Sequence, residues 1–111
     1  MHNNKNEEYL DFLTYVLIHA ASADNEIGPA EEKMIKDKAS AGEFNLVMAE
    51  YKTHSSDQRN EYLQKMKDKW LKNPESKTAM VQKVQEITGV DLVLNDAEKT
   101  TYKELKSILL S

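Results

Sequence analysis

The sequence predicts an all-α domain of about six helices, on three observations. Apolar residues recur every three or four positions along most of the chain. Glycine and proline are scarce, three and two in 111 residues, which argues against a turn-rich all-β fold. Caps and prolines fall between the apolar stripes and leave only short connections. A chain of this length forms one domain, residues 1–111. It can bury about two-thirds of the surface of its unfolded form.

The first helix is expected over residues 7–23, where Tyr9, Phe12, Leu13, Val16, Leu17 and Ala20 make one stripe. Residues 24–27 form a loop. Gly28 then serves as N-cap, and Pro29 fits the first helical position, where its missing N–H is no loss. The second helix runs from there to about residue 40 and buries Met34 and Ile35, with Gly42 as the break. Phe44, Val47, Met48 and Tyr51 mark the third helix. "THSSD" is a polar loop in which Ser56 or Asp57 caps the next element. Tyr62, Leu63, Met66 and Trp70 give the fourth stripe. "KNPES" ends it, because the residue before Pro74 is pushed away from helix. Met80, Val84 and Ile87 mark the fifth, ending near Gly89. Asn95 caps a sixth that buries Tyr102, Leu105, Ile108 and Leu109. Short connections imply a small orthogonal or bundle-like array.

Composition narrows the function classes. There is no cysteine, so neither a disulfide framework nor a thiolate metal site is available. The polar amino terminus lacks the basic start and apolar run of a secretory signal. The longest apolar-leaning run, residues 12–23, contains Thr14, His19 and Ser22 and falls short of the roughly twenty residues a bilayer span needs. A soluble, cytoplasmic protein without direct membrane insertion is expected. A net charge of −4 argues against a general nucleic-acid binder.

Sliding the sequence by 67 residues exposes a repeat. Leu13 falls on Met80, Leu17 on Val84, Asp24 on Asp91, Ile27 on Leu94 and Glu31 on Glu98. Each pseudo-repeated unit is a helix, an acidic loop with one aliphatic, and a capped second helix. Two such units can bury their apolar faces against each other. The Asp-x6-Glu spacing also occurs at Asp68 and Glu75, so the aligned apolar frame carries the repeat rather than the carboxylates.

The acidic loops admit two readings. In the first, Glu31 and Glu98 lie three residues after their caps and reach back in capping boxes, while Asp24 and Asp91 turn the chain. In the second, pseudo-symmetric packing brings Asp24, Glu26, Glu31, Asp91 and Glu98 together, with Glu32 as a further ligand. Two carboxylates about 4 Å apart repel by roughly 4 kcal/mol at an effective dielectric near 20. A bound cation would offset this, and all-oxygen ligands favour Ca²⁺ or Mg²⁺. The loop is not an EF-hand, since the sixth residue from Asp24 is Pro29 and the twelfth is Ile35.

The stretch "LIHAASADNEIGPAEEKMI" resembles the signature of the TerB-like domains, the family of the tellurite-resistance protein TerB. Ala21, Ala23, Asp24, Glu26, Ile27 and Glu31 match its first motif, and Asp91, Leu94 and Glu98 match the second. Asn25 and Leu92 stand where the family usually has glycine. The resemblance implies an all-helical fold of two units and a divalent cation on the shared acidic residues. It also implies an accessory role in tellurite or other stress responses, with no firm enzymatic activity.

The remaining candidates read as structural. His19, on the edge of the first stripe, is expected to be a packed or hydrogen-bonded residue. His2 and His54 form no spaced ligand set, and Ser22 with His19 and Asp24 along one helix cannot build a triad. Lys65, Lys69 and Lys72 beside Trp70 read as a solvated face rather than a nucleic-acid surface. Met34, Met48, Met66 and Met80 fall at core-like positions. The expected function is a small intracellular binding or adaptor module, not an enzyme, with a protein partner. The alternative is a metal-free interaction domain that pairs with itself.

Overall fold

The computed structural model describes residues 5–22, 27–88 and 96–110, with the side chains of residues 5, 6, 87, 88, 96–99 and 101 left aside. Six helices account for the described residues: α1 (Lys5–Ala21), α2 (Pro29–Lys38), α3 (Ala41–Thr53), α4 (Ser56–Trp70), α5 (Pro74–Thr88) and α6 (Asp96–Leu110). No strand occurs among the described residues, so the all-α expectation holds.

Helix α1 is the axis of the molecule. It packs against each of the other five helices. The expected stripe is buried from Phe12 onward, with Tyr9 partly buried, but so are Tyr15 and Ile18, and Thr14 and Asp11 with them. A helix enclosed all round needs apolar residues all round, and residues 12–21 supply them. Thr14 meets its own hydroxyl's need by donating to the Leu10 carbonyl at 2.8 Å. Around α1 the core adds Ile35, Phe44, Val47, Leu63, Met80, Val84, Leu105 and Leu109. Met66 and Met80 are buried, whereas Met34, Met48 and Trp70 are partly buried and pack on its margin.

Helix ends follow side-chain chemistry, and two differ from expectation. Gly42 is not a break: it lies inside α3. The chain turns at Ala39 and Ser40 instead, where the Ser40 hydroxyl accepts from the Glu43 N–H at 3.0 Å. The cap of α4 is Ser55, one residue before the expected Ser56 or Asp57. Ser55 accepts from the Gln58 N–H and donates its own N–H to the Gln58 side chain, a full capping box. A capping box fixes the cap three residues before its Gln, and Gln58 selects Ser55. Helix α5 starts with Pro74 at its first position, and Asn73 accepts from the Ser76 N–H at 2.8 Å. The expected cap Asn95 lies outside the described residues, as does the side chain of Ile87.

Candidate functional site

The first acidic motif leads into α2. Gly28 is its N-cap with φ −66° and ψ 154°, and the Glu32 N–H bonds the Gly28 carbonyl at 2.9 Å. Gly28 has no side chain with which to cap, and Glu31 is buried over it. A Cβ on Gly28 would lie 3.2 Å from Glu31 Oε1, tighter than ordinary contact, so glycine is what lets the carboxylate close over the helix start. That is where a capping-box Glu belongs, beside the positive end of the helix dipole. Glu32 points outward and pairs with Lys36 at 3.7 Å across an exposed turn.

Of the five residues expected to ligate a cation, Glu31 alone has a described side chain, and it is turned onto its own helix end. Asp24, Glu26 and Asp91 lie outside the described residues, as does the side chain of Glu98. Among the described residues no three His, Asp or Glu side chains are grouped to hold a metal ion. The place of Glu31 over Gly28 is the one a capping carboxylate takes.

A polar–aromatic cluster joins α1, α3 and α4. Tyr15 Oη and His54 Nδ1 share a hydrogen bond of 2.7 Å, and His19 Nδ1 shares one of 3.0 Å with Tyr51 Oη. Tyr15 packs against Tyr51 and Tyr62, with centroids 5.1 and 4.2 Å away. Arg59 lies over the Tyr51 ring, 3.9 Å from its centroid, and donates from Nε and Nη2 to the Tyr51 carbonyl. Burial, helped by the Arg59 charge, pushes His19 down to about 4, so its imidazole is neutral at pH 7. Burial raises Tyr15, Tyr51 and Tyr62 above the ordinary phenol range. Hydroxyls and ring nitrogens that satisfy one another make a specific seam between helices. The expectation for His19 holds. His54 was missed because its partner Tyr15 lies 39 positions away. Tyr51 and Tyr62 stand on apolar stripes, and a buried tyrosine demands a hydroxyl partner, but nothing local names His54 or Tyr15 as that partner. Ser22 is engaged locally, donating to the Ile18 carbonyl at 2.6 Å.

The third feature is a groove. It is open, of about 620 Å³, and runs between the start of α2 and the outer side of α3. Ile27, the aliphatic residue of the acidic motif, forms part of its wall with Phe44, Met48 and Ala49. Glu32 and Lys52 are its charged lining. Along α3, residues 44 to 52 give it a length of about 12 Å at 1.5 Å per residue. Beside it Leu46 is 41% exposed, one of two large apolar side chains so exposed among the described residues.

No family model, curated protein or solved structure matches the chain. No described helix is long and apolar enough to cross a membrane.

Proposed function

We propose that the chain is a small cytoplasmic protein-interaction module of TerB-like character, not an enzyme, and that the α2–α3 groove is the surface it offers. One observation carries this reading: the motif residue Ile27 lines an open groove of mixed apolar and charged character, together with a face of α3 that is exposed among the described residues. The occupant that suits it is a protein helix with an aliphatic stripe, a base to meet Glu32 and an acid to meet Lys52. The two-unit repeat belongs to the same proposal; the packing of α1 on α5, its two leading helices, supports it. A Ca²⁺ or Mg²⁺ ion on Asp24, Glu26, Asp91 and Glu98 would stiffen the segment that leads into Ile27, in the stress-response setting the resemblance implies.

A photo-reactive group at Asn45, on the groove wall, tests the reading. Cross-linking in cytosol is expected to map to one amphipathic helical segment of a protein. Met48→Glu should lower the yield about tenfold or more, as loss of an apolar anchor does. Gln64→Lys, on the polar outer face of α4, should leave it unchanged. Equal yields for all three proteins, or scattered cross-links, would overturn the groove as the functional surface.

A further inference from the structure

The groove borders a helix face that none of the described residues covers. Gly42, Asn45, Leu46 and Ala49 are all exposed along α3, and a Cβ added at Gly42 would meet no atom within 4 Å. Gly42 and Ala49 are small enough for another backbone to approach closely, and Leu46 projects between them. The charges beside this face are of opposite sign. Lys52, on the α3 side of the groove, makes no ion pair among the described residues. Glu32, on the α2 wall, pairs among the described residues with the half-buried Lys36 of its own helix.

A surface that carries an apolar knob, a groove with an apolar wall and one charge of each sign holds the parts that a self-complementary, two-fold interface requires. We infer that a second copy of this chain occupies the groove, with the two α3 helices crossing antiparallel about a two-fold axis. This rests on the reading of the groove as the interaction surface and names its partner. Each Leu46 then enters the other copy's slot against Ile27 and Met48, and each Lys52 meets the other copy's Glu32. Antiparallel α3 helices also set the positive end of one dipole beside the negative end of the other. Each chain carries a net charge of −4, so copies repel at long range. The two Lys52–Glu32 contacts offset that repulsion at this face and select its register. One helix and one groove make less than a standard interface, which sets the association in the micromolar range or weaker.

Sedimentation of the full chain from about 1 µM to about 1 mM reads this directly. The average mass is expected to rise from monomer towards dimer. Lys52→Glu and Glu32→Lys should each weaken the dimer about tenfold or more, and the double variant should return it to within about threefold of the original. Leu46→Glu should abolish it, with circular dichroism confirming that each variant is folded. A monomer at every concentration overturns the inference, as does a dimer indifferent to these changes or one the charge swap does not rescue. A strictly monomeric chain that still cross-links a foreign helix through the groove removes self-pairing alone. Loss of both results removes the interaction surface as well.

Discussion

At the scale of single residues, His19 shows how burial changes a side chain's chemistry. An imidazole in water takes a proton near pH 6.5, but in this fold it resists until about 4. Enclosure by α1 and α3 is the main cause, and the Arg59 guanidinium stacked on Tyr51 adds to it. The folded value is depressed, so between these two limits the unfolded chain binds more protons than the native one. Stability therefore is full above pH 6.5, falls as pH drops through that range, and levels off below about 4. The loss attributable to this residue is on the order of 3 kcal/mol at most. Urea titrations between pH 7 and pH 4 are expected to show that slope for the native chain and a flatter one for His19→Gln. Gln keeps a hydrogen-bonding group beside Tyr51 and cannot titrate. Equal slopes would mean that His19 takes its proton in the folded state as readily as in water.

At the scale of elements, each helix start among α2 to α5 has its own solution to the unpaired N–H groups of a first turn. Ser40, Ser55 and Asn73 use their side chains from outside the helix. Helix α2 cannot, because its cap is Gly28; there the Glu31 carboxylate lies buried over the cap. Gly28 with Pro29 behind it was legible as a helix start, whereas the cap of α4 was placed one residue late and Ser40 was passed over. The start of α3 was misread because a glycine looked like a break: Gly42 sits two residues after a serine that caps, and the serine decides. The pairing of Glu31 with Gly28 gives a test that separates a cap from a metal ligand. Glu31→Ala is expected to lower stability by about 1 kcal/mol, by the same amount in chelator and in millimolar Ca²⁺ or Mg²⁺. A cation held by Asp24, Glu26, Asp91 and Glu98 would instead add about 2.7 kcal/mol at one hundred times its dissociation constant. That increment should vanish in Asp24→Asn and persist in Glu31→Ala. A Glu31 effect seen only with the cation present would move this carboxylate from the helix end into the ion's shell.

At the scale of the whole molecule, the number of helices and most of the core were legible because the stripes are long and regular. The layout was not. A one-sided stripe on α1 describes a helix lying on a core, with Tyr15 and Ile18 on its flanks. The folded chain instead threads α1 through the middle, and both residues are fully buried. Periodicity finds the most apolar face of a helix but does not report how many neighbours that helix has; the polar Thr14 and His19 made the other faces look wet. The tyrosine–histidine seam was invisible for the same reason, since its partners come from three helices. The two layouts make opposite predictions for one side chain. Were α1 a surface helix, Ile18→Ala would lie at the edge of the interface and change stability by less than about 1 kcal/mol. In a central α1, Ile18 has neighbours on every side and its truncation leaves a cavity. Ile18→Ala should then cost about 2–5 kcal/mol, as much as Leu17→Ala from the heart of the stripe. Urea unfolding of both variants measures this, read from the midpoint with the slope unchanged. Because a domain of this size is held by only about 5–15 kcal/mol, either change removes a large part of its stability. Near-equal losses establish α1 as the element around which the rest of the chain packs, whereas a small loss at Ile18 alone would return it to the rim.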